Sequence, residues 1–535
     1  MSYQIERVDD LFTEWDRQDS PGCALAVIQD GSVVYARGYG MANLEHGVPI
    51  KPETVFDLGS TSKQFTALCI LLLARQGKLL LDDPLQKYVP EIPEYDTPIT
   101  IRHLVHHTSG LRDYLTLMAL ANMPFENDYQ EAEVVALIAR QKALNFTPGD
   151  EHLYCNSGYF LMSEIVERVS GLNLREYAEE HIFSPLGMQH THFHNNFKEI
   201  VTHRASGYSP KDEGGFEIDM GIFDVLGDGG LYTSVLDLYL WDQNYYANQL
   251  DGGGQELIEQ MEQVGELNSG EKLKYAFGLM VNTYRGLKAV SHGGSWYGYR
   301  AQMLRFPEQR FSVICLSNLG SFNPEVLCKK VADIYLENQF LEEGPEPELA
   351  GSAKEVELAL DVLLEKCGLF EETQTHTVAE LLIGEEGLEV EAMGLKFKLA
   401  ARSQDHFFAL NAPVTLNLFF EAENKTLVLD INDGYQQQTY QRIETPAFSP
   451  EDLQEYAGCY HSPELNVTYQ FILVNGELKL LPEMPLFKYV KLTKKDVFNL
   501  GLANLKFLRG EENKISGFSI DAGRVKDIRF ERIEN

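Results

Sequence analysis

A serine and a lysine lie three positions apart just before a long apolar segment of the chain. Residues 59–63 read Gly-Ser-Thr-Ser-Lys, and apolar side chains then recur at helical spacing through residues 64–76. This pattern predicts a helix that begins near Ser60. Because positions i and i+3 share one helix face, we expect Ser60 and Lys63 to face each other at the helix N-terminus. Unpaired backbone N–H groups at that end favour a developing negative charge.

Such a pair suggests nucleophilic catalysis. A serine hydroxyl is a weak nucleophile, and a neighbouring amine can accept its proton where burial disfavours the charged form of lysine. The same tetrapeptide also fits a serine that caps the helix beside a solvated lysine, since S-x-x-K arises by chance in long chains. Other parts of the sequence must decide between these two interpretations.

A second polar motif lies in the turn-rich segment 146–159, where Tyr154 and Asn156 flank Cys155. A phenol held among cations can act as a base or proton shuttle, and an amide can hold a substrate carbonyl. The alternative is a loop whose polar side chains bond its own backbone.

A third motif, His292-Gly293-Gly294-Ser295, precedes the apolar strand predicted at residues 311–316. Glycines allow a substrate backbone to approach a strand edge closely, as pairing by β-addition requires. A hairpin turn that contains an incidental histidine would leave the same pattern.

Composition limits the classes of partner. The chain has 535 residues, enough for roughly two to four domains. With 80 acidic against 45 basic residues its net charge is -35, which disfavours nucleic acid and anionic membrane surfaces as partners. The seven cysteines form no C-x-x-C pair, and we find neither a signal-peptide pattern nor an apolar run long enough to span a membrane. These features predict a cytoplasmic protein with reduced thiols.

The pattern of predicted elements changes along the chain. Up to about residue 340, strands alternate with helices, as in an α/β or α+β domain. The predicted strands are 23–29 and 32–36, and the predicted helices are 61–76, 132–142, 158–170 and 323–338. An acidic, proline-containing linker follows at residues 342–348, and then a possible short helix at 355–366. Beyond it the period-two alternation of β-strands dominates, for example at 388–392, 395–399 and 467–471.

The C-terminal part resembles itself at a nearly fixed interval. The strings that begin at residues 406, 424 and 441 recur at 496, 513 and 531, which gives offsets of 90, 89 and 90 residues. A fixed period is what a duplicated module leaves, here with its seam near residues 444–450. We therefore predict domains at 1–342, 354–445 and 446–535, with a linker at 343–353.

Taken together, the three motifs resemble the active-site blocks of the serine β-lactamase and penicillin-binding protein family, in order and approximate spacing. The Tyr-x-Asn form is similar to the class C branch, which includes D-aminopeptidases, DD-carboxypeptidases and esterases. Residues 101–111, 148–149 and 227–234 also look like that family, and the resemblance covers about residues 5–340. It implies an α+β catalytic domain with an antiparallel sheet and helices, followed here by two small all-β, lipocalin-like barrels.

The resemblance also implies roles for particular residues. Ser60 would be the acylated nucleophile, with Lys63 and Tyr154 as its proton-transfer partners. Asn156 would bind the substrate amide. The segment from His292 through Gly293 and Gly294 to Ser295 would form the strand edge along which substrate docks, and the backbone N–H groups of Ser60 and Ser295 would form the oxyanion hole.

One departure from the family pattern limits the substrate class. Class C β-lactamases have Lys-Thr-Gly where this chain has His292-Gly293-Gly294, so the fixed cation for a β-lactam carboxylate is missing. A histidine that titrates near neutrality would bind anions only conditionally. A histidine third motif and two C-terminal β-modules resemble the D-aminopeptidase arrangement.

We therefore predict a serine hydrolase that acts through an acyl-enzyme on amide or ester bonds of small peptides or amino-acid derivatives, with D-configured ones as a candidate class. The alternatives are a promiscuous short-chain esterase, a weak β-lactamase, or a non-catalytic ligand-binding or sensor protein that retains the fold. The predicted partner is a small molecule or short peptide, and the sequence leaves the oligomeric state open.

Two groups of histidines have the residue type of a metal site: His103, His106 and His107, and the alternating His190, His192 and His194. We interpret both as structural, because a polar strand face also fits such spacing and no acidic partners are evident. The prediction is accordingly no cofactor and no metal.

Overall fold

The computed structural model describes most of the chain. The described ranges are 2–211, 213–341, 356–373, 377–384, 387–392, 395–410, 416–431, 436–444, 448–482, 487–501 and 503–534. The predicted linker at 343–353 lies outside these residues, as does the acidic segment 342–348.

Thirteen α-helices occur in the described ranges. They are α1 (Ser2–Phe12), α2 (Lys63–Arg75), α3 (Ile101–Val105), α4 (Tyr114–Leu120), α5 (Glu131–Ala139), α6 (Asn156–Ser170), α7 (Leu174–Ala178), α8 (Ser184–Leu186), α9 (Val235–Asn244), α10 (Glu256–Met261), α11 (Pro324–Tyr335), α12 (Leu360–Lys366) and α13 (Pro450–Gln454).

The strands of the described ranges fall into two groups, the first of which precedes residue 342. Its members are β1 (Cys23–Gln29), β2 (Ser32–Tyr39), β3 (Met41–Asn43), β4 (Val48–Pro49), β5 (Phe56–Asp57), β6 (His192–Phe193), β7 (Tyr208–Pro210), β8 (Phe216–Ile218), β9 (Leu231–Thr233), β10 (Met280–Tyr284), β11 (Leu287–Trp296), β12 (Tyr299–Phe306) and β13 (Phe311–Ser317).

The second group follows residue 356. Its members are β14 (Gly368–Glu372), β15 (Val378–Gly384), β16 (Gly387–Ala392), β17 (Leu395–Ala401), β18 (His406–Leu410), β19 (Leu416–Glu421), β20 (Thr426–Ile431), β21 (Gln436–Ile443), β22 (Gly458–Ser462), β23 (Val467–Val474), β24 (Glu477–Leu481), β25 (Phe487–Lys494), β26 (Val497–Gly501), β27 (Ala503–Arg509), β28 (Ile515–Ala522) and β29 (Val525–Ile533).

The chain divides into two compact units, and the first consists of described residues within 1–111, 125–139 and 146–347. Its main sheet has six antiparallel strands in the order β10-β11-β12-β13-β1-β2. Strands β1 and β13 are buried almost throughout, because α9 and α11 pack against this part of the sheet. A continuous apolar run such as residues 23–28 is typical of a strand covered on both faces.

Helix α2 forms the centre of the first unit. Every residue from Lys63 to Leu73 in it is buried, including the lysine, and it packs against α6. A smaller sheet in the order β5-β9-β6 lies beside the N-terminal end of α2, since the backbone N–H of Leu231 in β9 donates to Ser62 Oγ. The strand β11 and the turn that precedes α2 are also in contact.

The second unit consists of described residues within 112–124, 140–145 and 348–535. Strands β14 to β21 close into an eight-stranded antiparallel barrel, and β22 to β29 form a second eight-stranded sheet. The interior of the first barrel is apolar, with Phe370, Val390, Leu418 and Leu427 among its fully buried side chains.

The predicted fold class is confirmed, with an α+β part followed by two eight-stranded, barrel-like sheets. The similar strings at residues 406 and 496 fall at β18 and β26, the fifth strand of each sheet, as a duplicated module requires. All seven cysteines are free. Within the described residues no helix has both the length and the apolar character needed to cross a membrane.

Candidate active site

The start of α2 places the serine and lysine of the first motif in contact. A 3-10 turn spans Gly59–Ser62 and α2 begins at Lys63, close to the predicted start at Ser60. Neither helix is capped by a serine side chain, and Lys63 is 0% exposed while Ser60 is half-buried. The interpretation of Ser60 as a cap beside a solvated lysine is therefore wrong.

The amine of Lys63 is held by polar and aromatic partners from distant parts of the chain. Lys63 Nζ donates to Ser60 Oγ at 3.1 Å and to the backbone carbonyl of Asp228 at 2.5 Å. It also lies 4.9 Å from the ring centre of Tyr154 and 5.6 Å from that of Tyr159. The aromatic faces carry partial negative charge toward the amine, so the site fixes the position of Nζ relative to Ser60 Oγ.

The turn that carries Ser60 is held by side chains on both sides of it. Asp57 Oδ1 accepts from the backbone N–H of Gly59 at 2.8 Å, and Ser62 Oγ donates to the Gly59 carbonyl at 2.6 Å. Burial, together with the charge of Asp228, raises the pKa of Asp57 to about 7, although the bond from Gly59 opposes this shift. These contacts fix the backbone on which the Ser60 hydroxyl is displayed.

The second motif enters α6 through a loop positioned by His107. The His107 backbone is left-handed, with φ of 56°, and its ring centre lies 4.2 Å from that of Tyr154. The N–H of Cys155 donates to His107 Nδ1 at 3.1 Å, and the Cys155 thiol donates to the Leu111 carbonyl. Asn156, buried, is the first residue of α6. The position of Tyr154 is thus set by His107, which belongs to segment 101–111. In the sequence that segment was identified only by its resemblance to the family.

The third motif lies on β11, and its histidine is buried. His292 Nδ1 lies 2.6 Å from the Gly293 carbonyl, so this nitrogen carries the proton and donates. His292 Nε2 then accepts from the Tyr275 hydroxyl at 3.0 Å. Burial and, to a smaller extent, the charge of Lys63 lower the pKa of His292 to about 4. The expectation that this histidine titrates near neutrality is therefore wrong, and the ring is neutral at pH 7.

Two glycines bring the backbone of β11 against the turn that carries Ser60. A Cβ on Gly294 would lie 1.8 Å from the Leu58 carbonyl oxygen, a distance no side chain can occupy. Gly59 has φ of 49°, and a Cβ on it would lie 2.7 Å from the Ser295 backbone nitrogen. Ser60 and Ser295, the two predicted oxyanion donors, therefore lie on backbone segments in direct contact.

Comparison with known proteins decides the family. A family model described as Beta-lactamase matches residues 8–332. The chain belongs to the beta-lactamase family. The predicted resemblance is thereby confirmed, and with it the assignment as a serine hydrolase.

This member of the beta-lactamase family resembles named relatives over most of its length. It is 28% identical over 435 residues to penicillin-binding protein 4* of Bacillus subtilis, covering 78% of this chain and 94% of that one. It is 28% identical over 462 residues to a D-aminopeptidase of Gluconobacter oxydans, covering 84% and 81%. The octameric penicillin-binding protein homologue of Pyrococcus abyssi is 27% identical, with a TM-score of 0.58, covering 82% of this chain and 100% of that one.

Several side chains at the site of this family member were not singled out from the sequence. Asp57 lies just before the Ser60 motif in the sequence. His107 and Asp228 lie in segments 101–111 and 227–234, which the sequence analysis identified only by their resemblance to the family. Tyr275, which donates to His292, lies in no recognisable motif. Its contact arises from packing alone.

The two histidine groups differ in the structure. His103 Nδ1 accepts from the Thr100 N–H, His106 Nδ1 lies 3.3 Å from the Tyr275 carbonyl, and His107 Nδ1 accepts from the Cys155 N–H. This first group therefore serves three separate structural contacts. In the second group His192 and His194 come together and His190 does not join them.

The protonation state of His292 predicts how stability depends on pH. Because its pKa is lowered from 6.5 to about 4 in the folded protein, the unfolded chain binds more protons between these values. The stability that comes from the neutral ring is thus present above pH 6.5 and is lost as the pH falls toward 4, by about 3 kcal/mol. Between pH 6.5 and pH 4, the free energy of unfolding measured with urea should fall less in His292→Gln than in the parent protein, because glutamine does not titrate.

The parent protein provides the reference for this pH dependence. If the free energy of unfolding changed with pH equally in the parent protein and in His292→Gln, the assignment of a neutral, buried His292 would be contradicted.

Proposed function

We propose that this protein hydrolyses amide bonds of small peptides or amino-acid derivatives, preferentially of D configuration, through an acyl-enzyme at Ser60. The observation that carries the proposal is the 3.1 Å contact between Lys63 Nζ and Ser60 Oγ at a fully buried lysine. A nucleophile within hydrogen-bond reach of a base that is itself held by further groups is the arrangement that acyl transfer needs.

In the proposed acylation step Lys63 is a neutral amine, and Ser60 Oγ gives its proton to the lone pair of Lys63 Nζ as it attacks the substrate carbonyl carbon. The tetrahedral oxyanion then lies at the backbone N–H groups of Ser60 and Ser295, each worth roughly 3 kcal/mol of transition-state stabilisation. As the C–N bond breaks, a proton delivered through Lys63 and Tyr154 leaves with the amine. Water then attacks the ester carbonyl and gives a proton to the same relay. The relay returns a proton to Ser60 Oγ as the ester C–O bond breaks, which releases the acid and restores the Ser60 hydroxyl.

The substrate class follows from the charges at the proposed docking strand. Asn156 supplies an amide for the substrate carbonyl. From His292 onward β11 pairs with β12 but no longer with β10, and the substrate backbone would dock along the edge that faces away from β12. His292 is neutral and its two ring nitrogens are already occupied by Tyr275 and the Gly293 carbonyl. The third motif therefore offers no fixed cation for a carboxylate, which favours uncharged amides over β-lactams and peptides bound through a terminal carboxylate.

The named relatives support an amide hydrolase of this family without identifying its particular substrate. The similarity to a D-aminopeptidase extends over 84% of this chain and so includes more than the catalytic motifs. Penicillin-binding protein 4* matches at the same identity, which favours acylation by penicillin as a second candidate activity. A short-chain esterase activity would use the same residues and the same acyl-enzyme.

A panel of substrates tests the proposal. The protein would be exposed briefly to D- and L-alanine p-nitroanilide, p-nitrophenyl acetate and a penicillin, with absorbance and intact mass followed together. We expect fastest turnover of the D-amide, and a mass increase equal to the acyl group wherever deacylation is slow. Faster turnover of the L-amide would contradict the D preference. A stable penicillin adduct without amide turnover would instead support the penicillin-binding candidate.

A further inference from the structure

Two histidines and a glutamate meet beside the small sheet of the first unit. His192 lies in β6, His194 follows that strand, and Glu199 lies five residues further along. One ligand atom from each of the three lies within 4.8 Å of the other two. The backbone N–H of His194 donates to the Gly230 carbonyl at 2.7 Å, which fixes this segment beside β9.

The distances within this cluster are close to those of a tetrahedral metal site. His192 Nε2 and His194 Nδ1 are 3.4 Å apart. Two nitrogens bound to zinc at 2.0–2.1 Å with a tetrahedral angle would be about 3.3–3.4 Å apart. Glu199 Oε2 is 3.9 Å from His194 Nδ1, about half an ångström more than this spacing, and the ligand atoms of Glu199 and His192 lie within 4.8 Å of each other.

The histidines are in the protonation state that a metal requires. Burial lowers the pKa of His194 to about 4 and also lowers the pKa of His192, so both rings are neutral at pH 7. Metal binding needs unprotonated ring nitrogens, and here no proton has to be removed from a charged ring. His194 is 5% exposed and His192 is half-buried, so the cluster is largely shielded from bulk water.

The carboxylate of the cluster is ionised and oriented. Arg175 donates to both oxygens of Glu199, at 2.5 and 2.8 Å, and this pairing lowers the pKa of Glu199 to about 2. Ligating carboxylates in metal sites are commonly hydrogen-bonded by a further residue that fixes their orientation. A carboxylate held by Arg175 retains further oxygen lone pairs for a metal ion.

We propose that His192 Nε2, His194 Nδ1 and a Glu199 carboxylate oxygen bind one divalent cation of the zinc class, with water at the fourth position. Two imidazoles and one carboxylate suit Zn²⁺, Ni²⁺ or Cu²⁺ and disfavour Mg²⁺ and Ca²⁺, which prefer oxygen ligands. This revises the interpretation of the alternating histidines as a purely polar strand face.

Zinc titration of the full-length protein tests the site. After treatment with EDTA and dialysis, Zn²⁺ binding would be followed by calorimetry, and Co²⁺ by its d–d absorption, which reports ligand geometry. We expect one ion per chain with a tetrahedral Co²⁺ spectrum, and a rise in melting temperature on adding Zn²⁺. Mg²⁺ at the same concentration should leave the melting temperature unchanged.

Variants distinguish Zn²⁺ binding at this cluster from nonspecific Zn²⁺ binding to exposed histidines. His192→Ala removes a half-buried ligand and should weaken Zn²⁺ binding by roughly 100-fold, and Glu199→Gln should weaken it by roughly 10-fold or more. His190→Ala, which removes an exposed histidine two residues away, should bind as the parent does. Acylation of Ser60 should be the same in all three variants. Unchanged binding in His192→Ala, or no binding by the parent, would overturn the proposal.

Discussion

Ser60→Ala is expected to abolish the acyl adduct and to lower kcat/KM by roughly a million-fold, the scale seen when a serine nucleophile is removed. Ser60 is half-buried, and its hydroxyl bonds Lys63, which keeps the Asp228 carbonyl as a partner in the variant. The melting temperature should therefore change little. Intact-mass measurement after brief exposure to p-nitrophenyl acetate, with thermal unfolding alongside, checks both parts.

Two further variants make this test specific. Ser62→Ala removes a hydroxyl two residues away that donates to the Gly59 carbonyl and accepts from the Leu231 N–H. It should lower the melting temperature and retain the adduct. Lys63→Met keeps the length of the side chain without the amine, and should slow acylation by roughly 10²–10⁴-fold. A full adduct in Ser60→Ala would rule out Ser60 as the nucleophile.

A loss of about 3–5 kcal/mol in the free energy of unfolding is expected for Arg112→Met. Arg112 is 1% exposed and donates to Glu464 at 2.7 Å, to Gln141 at 3.0 Å and to the backbone carbonyls of Lys526 and Asp527. Methionine fills much of the volume but leaves the buried Glu464 carboxylate without its cation. Urea unfolding, followed by fluorescence and by circular dichroism, measures the loss.

An exposed ion pair of the same type provides the control. Arg102 donates to both oxygens of Asp82 at 2.7 and 2.9 Å, yet both side chains are solvated. Arg102→Met should therefore cost less than about 1 kcal/mol. Comparable losses in the two variants would show that burial of the Arg112–Glu464 pair does not determine its contribution.

The sequence predicted the fold where the pattern is local. Strand β1 was predicted with its observed bounds, and α2, α6 and α11 were predicted to within a few residues. Apolar periodicity and flanking glycines predict such elements because these signals depend only on residues close together in the sequence. The two β-modules were predicted because duplication leaves a fixed spacing. Residues 112–124 and 140–145, in contrast, belong to the unit that also includes residues 348–535. No local pattern in these two segments signals partners more than 300 residues away, such as Glu464 for Arg112.

At the candidate site the sequence by itself determined which residue types are present and in what order. Spacing and family resemblance indicated the candidate residues, whose catalytic roles stay predictions: Ser60, Lys63, Tyr154, Asn156 and the His292 segment. Only the tertiary structure decided that Lys63 is fully buried against the Asp228 carbonyl, 165 positions away, and that Tyr275 and burial keep His292 neutral. Burial and pKa depend on every atom packed around a group, and most of those atoms come from distant parts of the chain.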